Sequence, residues 1–376
     1  LSFGVEARNE KWNQSPGEYG SYANAGLGVA GAGAGAQGFG GFAPEVAGAF
    51  DRDSHAVYAG LEADITEKFS AGAAARYEDY DDFGSQVSGK LSARYAFNDA
   101  IALRGTVSSG FRAPSLAQQY FQTVSTTFIA GITTPFEIRT FPASSPVAQA
   151  FGAEALKPEE SLSYSLGLVL QPVDNLYVTV DAYQIDVDDR IALSSNLTGD
   201  AVRRLLESQG IFGVTGGRYF TNAIDTRTRG IDVVGSYRWD LAASSVDLTA
   251  GYNHTRTEIT RIAPNPAALG QNGLNLERID RTEIGRIEDG FPRNKLLLSG
   301  TWNVDDWAFA LATTRYGSVR TTPTNAALDQ EYGAKWLVDV SATFKPGENW
   351  ALTLGADNVL NAYPDENIFG NSTNGQ

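Results

Sequence analysis

Between Leu162 and Leu170 the side chains alternate strictly. Leu162, Tyr164, Leu166, Leu168 and Leu170 stand on one parity, and Ser163, Ser165, Gly167 and Val169 on the other. Strand side chains point to opposite faces in turn, so such a segment has one greasy face and one mostly small and polar face. The pattern recurs along the chain. Val57, Ala59, Leu61, Ala63 and Ile65 alternate with Tyr58, Gly60, Glu62 and Asp64, and Val87, Leu91, Ala93, Tyr95 and Phe97 with Ser88, Lys90, Ser92 and Arg94. Val246, Leu248, Ala250 and Tyr252 oppose Asp247, Thr249, Gly251 and Asn253. Trp336, Val338, Val340, Ala342 and Phe344 oppose Lys335, Asp339, Ser341 and Thr343, and Trp350, Leu352, Leu354 and Ala356 oppose Thr353, Gly355 and Asp357. About thirteen such strands are expected, beginning near residues 1, 55, 68, 86, 100, 159, 175, 227, 245, 294, 306, 334 and 349. Most run about ten residues, the length a tilted strand needs to cross a bilayer.

The connections alternate as well. Tight links are expected at Thr66-Glu67-Lys68, Asn98-Asp99-Ala100, Pro172-Val173-Asp174-Asn175, near Leu241–Ser244, at Asp305-Asp306 and at Pro346-Gly347-Glu348-Asn349. Between them come long segments, roughly 13–54, 112–158, 189–226, 259–293, 318–333 and 360 onward; only 80–85 is short on that side. Short turns at one rim and long loops at the other describe an antiparallel transmembrane β-barrel, with the turns periplasmic and the loops outside. Beside the tight turns, on the apolar parity, sit Phe69, Phe97, Trp239, Trp302, Trp307, Phe344 and Trp350. Aromatic rings at one membrane boundary form a girdle at headgroup level. A soluble β-sandwich would share the alternation and the aromatics, but not the regular exchange of short turns with long loops.

Composition removes several other classes. A formal charge of −15 argues against a nucleic-acid partner. There is no cysteine, so no disulfide framework and no thiolate metal site. No apolar run approaches the length of a membrane-spanning helix. The two histidines, His55 and His254, leave little for imidazole chemistry. Carboxylate pairs such as Asp188-Asp189 and Asp305-Asp306 are adjacent, so within a strand they would point to opposite faces and make no catalytic dyad. No enzyme activity and no cofactor are expected.

Strand parity bears on completeness. The first and thirteenth expected strands both run from the tight-turn rim to the long-loop rim, and two strands of one direction cannot close an antiparallel barrel. An open edge in lipid leaves backbone groups unsatisfied. Residues 1–376 are therefore expected to be a partial barrel, with at least one strand after Gln376 and others before Leu1 or from another chain.

Several segments resemble TonB-dependent outer-membrane receptors. They are Gly110-Phe111-Arg112-Ala113-Pro114-Ser115, Leu156-Lys157-Pro158-Glu159, Thr228-Arg229-Gly230-Ile231-Asp232, Phe291-Pro292-Arg293-Asn294-Lys295 and Asn358-Val359-Leu360-Asn361-Ala362-Tyr363-Pro364. The blocks stand in the family's order over nearly the whole chain. Taken singly, each proline could simply begin or end a strand. The resemblance implies a twenty-two-stranded barrel, of which these would be strands nine to twenty-one, with a plug domain, the first strands and the last strand lying outside the chain. It also implies a location in the bacterial outer membrane, contact with its lipid, and import of a scarce small-molecule ligand. The ligand would be a ferric siderophore or an oligosaccharide, and the energy would come from TonB through the N-terminal part. A passive porin-type channel and a surface adhesin or phage-binding barrel are the alternatives.

On this reading the polar parity faces a plug and water. Arg76, Lys90, Arg94, Arg104, Asp232 and Arg238 are the expected contacts, with Asp181, Lys335, Asp339 and Asp357 in similar positions. The ligand would meet the long loops, where Tyr19, Tyr22, Phe39, Phe42, Tyr120, Phe121 and Phe128 could stack on it or pack the loops. The run Ala30-Gly31-Ala32-Gly33-Ala34-Gly35-Ala36 is low in complexity. Glu78, Asp79, Asp81 and Asp82 could bind calcium, although their spacing fits no calcium loop and a charged rim accounts for them. Asp200–Glu207 reads as a short helix folded over a loop. Direct coordination of haem or a free metal ion is not expected, since Cys and Met are absent and the histidines fall at strand ends, though tyrosine could ligate haem iron.

Overall fold

The alternating segments pair in sequence order. The computed structural model describes residues 1–23, 35–36, 41–127, 136–211, 213–271 and 273–367. Its wall consists of β1 (Ser2–Gln14), β2 (Gly48–Thr66), β3 (Phe69–Tyr80), β4 (Gly84–Asn98), β5 (Ile101–Arg112), β6 (Glu159–Val173) and β7 (Leu176–Leu193). It continues through β8 (Gly216–Leu241), β9 (Ser244–Ile262), β10 (Asn294–Val304), β11 (Trp307–Tyr316), β12 (Lys335–Phe344) and β13 (Leu352–Ala356). Each strand is hydrogen-bonded to the next in one antiparallel sheet. Among the described residues β1 and β13 each have one neighbour only, so the sheet is open. No helix there is long and apolar enough to cross a membrane.

Register fixes the two faces. Leu168, Val180, Val233, Tyr252 and Leu296 form one apolar row across β6 to β10. One residue away on each strand runs a polar row: Ser70, Arg94, Arg104, Gly167, Asp181, Asp232, Asn253 and Lys295. A slip of one residue would exchange the faces, so the hydrophobic alternation itself specifies the register. Irregular pairing next to the tight turns, at Asp64/Thr66, Ala96/Asn98 and Leu170/Val173, coils the strands at that rim. The Asp305-Asp306 link is a two-residue hairpin in which Asp305 takes φ 48°, a left-handed value that Asp tolerates better than most residues.

Among the described residues the apolar face covers no core. Tyr164, Leu166 and Leu248 are exposed and Val338 is half-buried. At the tight-turn rim Trp239, Trp302, Trp307 and Trp350 are also exposed, and Trp307 stacks on Phe344 with centroids 4.7 Å apart. The buried apolar clusters lie at the other end. Phe141, Val147 and Phe151 of the loop after β5, Leu197, Val202 and Leu206 of the loop after β7, and Leu269 and Leu274 of the loop after β9 form one core. This distribution excludes a sandwich, whose core would lie between two sheet faces. It is that of a membrane barrel under a packed loop cap.

Some strands are longer than their apolar stretches. β2 starts at Gly48, not near 55, and β8 at Gly216, not near 227. The ladder needs backbone groups, not greasy side chains, so polar residues continue it beyond the membrane. His55 and His254 consequently lie within strands and not at their ends. The helix expected at 200–207 is Asp200–Ser208; Val202 and Leu206, one turn apart, are its buried anchors.

Candidate functional site

On β1 to β5 the even-numbered residues share the polar face, and toward the long-loop rim they carry charge of both signs. Arg76 bridges Glu6, at 3.0 Å, and Glu78. Arg52, with 4% of its side chain exposed, is held by Glu10, Asp82 at 3.3 Å and the Pro114 carbonyl at 2.8 Å. Its guanidinium also lies 5.1 Å from the Tyr80 ring and 5.8 Å from that of Phe83. A buried charge needs such full pairing. Arg112 reaches Glu159 at 2.6 Å, and the same carboxylate accepts the Ile191 backbone N–H at 2.7 Å. Of these groups Glu6, Glu10, Arg52, Arg76, Glu78 and Arg112 line a cavity of about 910 Å³, which the start of the helix Leu116–Tyr120 also borders. That helix is fixed by a Ser115/Gln118 capping box.

The polar-face residues singled out in sequence share this side of the sheet but not one environment. Arg76 belongs to the cavity. Arg104 makes a two-bond ion pair with Asp181, at 2.9 and 2.7 Å. Asp232, directly opposite Asp181, accepts from Asn253 Nδ2 at 2.6 Å. Arg238 lies near the tight turns with Asp240 at 2.9 Å and Asp247 at 3.2 Å. Lys90 and Arg94 have no ion-pair partner among the described residues, and Arg94 stands opposite Arg104. Lys335 pairs with Asp365, and Asp339 accepts the Asn358 N–H at 2.7 Å.

The loop aromatics divide. Tyr120 stacks on Phe50 of β2 at 3.9 Å, and Phe121 meets Phe42 edge-on at 6.0 Å, so these rings pin the loop after β5 to the start of β2 and the loop that precedes it. Tyr19 and Tyr22 form an edge-on pair at 5.7 Å, with Tyr19 largely exposed. Phe39, Phe128 and residues 30–34 of the Ala-Gly run lie outside the described residues. In the acidic cluster Glu78 and Asp82 are engaged by Arg76 and Arg52, and Asp81 accepts the Asp53 N–H at 3.1 Å.

Sequence reading missed Arg52, Glu10 and Trp12. All lie on the polar parity of β1 and β2 and would have been found by extending that parity past the apolar stretch. Trp12 Nε1 is buried with no hydrogen-bond partner among the described residues.

Above the wall the cap is tied by charge. Arg281 holds Asp329 through two bonds of 2.8 and 2.9 Å, and Arg320 adds a third at 2.8 Å. This joins the helix Arg281–Glu288 to the hairpin Val319–Thr321/Gln330–Tyr332. Hydrogen bonding from Arg281 holds the Asp329 carboxyl below the usual aspartate range. Burial pushes the Glu283 carboxyl up, despite Arg286 at 2.6 Å.

The family model described as TonB dependent receptor-like, beta-barrel matches residues 1–359. No curated protein matches the sequence. Among solved structures the chain is similar to the ferric enterobactin receptor of Pseudomonas aeruginosa, with a TM-score of 0.59 at 15% identity over 95% of this chain and 45% of that one. The siderophore receptor PirA of Acinetobacter baumannii gives 0.58 at 13% identity, over 95% and 47%. The ferripyoverdine receptor of P. aeruginosa gives 0.53 at 13% identity, over 86% and 37%. The chain thus spans less than half the length of these structures. Its alternating wall, its cap of packed loops and a family match over nearly all its length agree, and the chain belongs to the TonB-dependent receptor β-barrels of the bacterial outer membrane.

Proposed function

We propose that this barrel segment is part of a receptor that imports a scarce ligand, a ferric siderophore or an oligosaccharide, with energy delivered through TonB. The remaining strands and a plug domain are supplied by polypeptide outside residues 1–376. Two facts support that larger assembly. β1 and β13 run in the same direction with outer edges that are unpaired among the described residues, and the related structures are more than twice as long as the part matched.

The observation that carries the proposal is the unequal pairing of the polar face. Arg52, Arg76, Arg104 and Arg238 are each held by carboxylates of the wall, whereas Lys90 and Arg94 have none among the described residues. Cations left free in a row of satisfied charges suit a body inside the barrel that brings its own acceptors. The ligand would enter by the cap and the cavity behind Arg76 and Arg112, where guanidiniums and rings suit an anionic or aromatic chelate. The siderophore is favoured over the oligosaccharide because the solved relatives are named for siderophores.

Uptake of radiolabelled ferric siderophore by cells carrying the full-length receptor tests this. Uptake should depend on an intact TonB system, and Lys90→Ala with Arg94→Ala should raise exchange of plug amides. Permeation that persists without TonB would establish the passive channel instead. Calorimetry on the purified receptor should show siderophore binding weakened by Tyr19→Ala, Phe39→Ala and Phe128→Ala. Tight haem binding abolished by His55→Ala and His254→Ala would contradict the ligand assignment.

A further inference from the structure

The loop after β5 carries a two-stranded ribbon, Thr123–Thr127 paired with Phe136–Phe141. The second strand of the ribbon runs parallel to the first residues of β8, with Gly217 opposite Arg139. The residue before the first strand is tied to β1, where Gln14 donates through Nε2 to the Gln122 carbonyl at 2.7 Å. The ribbon thus links two strands that are far apart in the order of the wall.

Hydrogen bonding is incomplete at the β1 end. Among the described residues four buried side-chain atoms lack a partner, and Trp12 Nε1, Gln14 Oε1 and Arg139 Nε are three of them. Trp12 and Gln14 share the polar parity of β1, and Gln14 is only 5% exposed. Arg139 reaches the same junction, since its Nη2 donates to Gln122 Oε1 at 3.2 Å. Gln14 and Arg139 therefore hold the two oxygens of one residue, Gln122, while a complementary acceptor and donor beside them stay unmatched. The fourth atom, Arg278 Nε, lies elsewhere, on a guanidinium already held by the Ala263 and Pro264 carbonyls.

The charge at Arg139 is unmatched as well. No carboxylate among the described residues forms an ion pair with it, in contrast to Arg52. Burial pushes the guanidinium below its usual range, and Glu45 acts on it only through space. A buried cation in such a setting calls for an anion. Rings stand beside it: Trp12 is opposite Phe50, which stacks on Tyr120, and the Arg139 guanidinium lies 5.3 Å from the Phe141 ring. Trp12 also lines the cavity of about 910 Å³, so the junction stands at the edge of that cavity.

Two donors, one acceptor and a positive charge define the complementary group. A carboxylate supplies two acceptor oxygens, and a hydroxyl or amide N–H next to it supplies the donor. A neutral sugar leaves the guanidinium without a counter-ion, and a tris-catecholate commits its oxygens to iron. We propose that this junction recognises a pendant carboxylate of the imported ferric chelate, with its oxygens on Arg139 Nε and Trp12 Nε1 and its neighbouring donor on Gln14 Oε1. The assignment deepens the import reading above and rests on it.

The test uses the full-length receptor purified in detergent, titrated with ferric dicitrate, a neutral ferric trihydroxamate and a ferric tris-catecholate. Ferric dicitrate, with free carboxylates, should bind about tenfold or more tightly than either of the others. Arg139→Gln should abolish that preference, and Trp12→Phe, which keeps a ring and removes the N–H, should weaken it. Arg218 supplies the control. It is another buried arginine without a carboxylate partner among the described residues, bonded to Thr140 Oγ1 at 3.0 Å on the opposite face of the ribbon. Arg218→Gln should leave the preference unchanged, which separates loss of the anion contact from loosening of the ribbon. Heat-modifiable migration on gels confirms that each variant is folded. No preference for ferric dicitrate, or an equal loss in the Arg139 and Arg218 variants, would overturn the proposal and leave water as the partner of the buried atoms. TonB-dependent uptake of a chelate whose binding ignores Arg139 would overturn this site alone. Absence of TonB-dependent uptake for all three chelates would refute the import reading itself.

Discussion

Arg104 on β5 and Asp181 on β7 form an ion pair across a strand to which neither belongs, with Gly167 of β6 between them. A Cβ at position 167 would come within 2.0 Å of Asp181 Oδ1 and 2.8 Å of Arg104 Nε. The glycine is thus a passage for the pair. The pairing also matters for β8, because Asp232 stands directly opposite Asp181 and the two carboxylates repel.

Gly167→Val should therefore destabilise the receptor more than Arg104→Ala. Forcing a side chain into this gap costs about 1–3 kcal/mol, whereas a partly exposed ion pair contributes about 0–1 kcal/mol. Thermal unfolding of the purified receptor ranks the two. A larger loss for Arg104→Ala would mean that relief of carboxylate repulsion, and not space over Gly167, dominates.

The cap should behave as one unit. Phe151, Leu206 and Leu269 come from three loops, are fully buried and share one core. Phe151→Ala should cost about 3–5 kcal/mol and Leu206→Ala about 2–5 kcal/mol of cap stability. Hydrogen exchange should then rise in all three loops together while the β6–β9 ladder stays protected. Exchange confined to the mutated loop would show that the loops open separately.

The cap contact made by Asp329 should be sensitive to acid. Its folded value is depressed by Arg281, so its contribution is present above the unfolded aspartate range and lost as pH falls through the depressed value. Glu283 acts with the opposite sign: its raised value means that ionisation opposes folding, and the penalty shrinks as pH falls through that value and is gone below the unfolded glutamate range. Exchange in the helix Arg281–Glu288 should show Asp329→Asn already loosened at neutral pH and lacking the acid-induced step. An acid step of wild-type size in that variant would assign it to another group.

The wall was legible in sequence and the cap was not. Period two, as in Leu162–Leu170, carries register and face at once, because one slip exposes every wrong side chain. The upper ends of β2 and β8 were missed because the strict alternation stops there: the buried Tyr219, Ala223 and Ile224 of β8 do not keep one parity, and the ladder shifts register at Asn222/Ile224. The cap core was hidden for a different reason: Phe141, Val202 and Leu274 come together through contacts distant in sequence, with no local period to announce them. The site was legible by parity alone. Parity placed Arg76 and Arg104 on the polar face, but it did not give the partners that separate them from Lys90 and Arg94. The packing of Tyr120 on Phe50 likewise needs the loop after β5 brought against the start of β2, 70 residues away in sequence.

Residues 1–376 expressed alone should not give a heat-modifiable monomer, because two edges of the same direction cannot pair antiparallel as every other neighbour in the wall does. A single denaturant-resistant band that shifts on boiling would contradict the larger-barrel proposal.

The apolar face of this wall meets lipid, and site-directed spin labelling tests that directly. The chain has no cysteine, so single cysteines placed in turn from Val246 to Tyr252, in a receptor otherwise free of cysteine, can each carry one spin label. Collision with oxygen, which partitions into lipid, is compared with collision with a water-soluble nickel chelate in reconstituted bilayers. Oxygen maxima are expected at Val246, Leu248, Ala250 and Tyr252 and nickel maxima at Asp247, Thr249 and Gly251. Loss of the two-residue period, or both sets of labels equally shielded from oxygen, would contradict it.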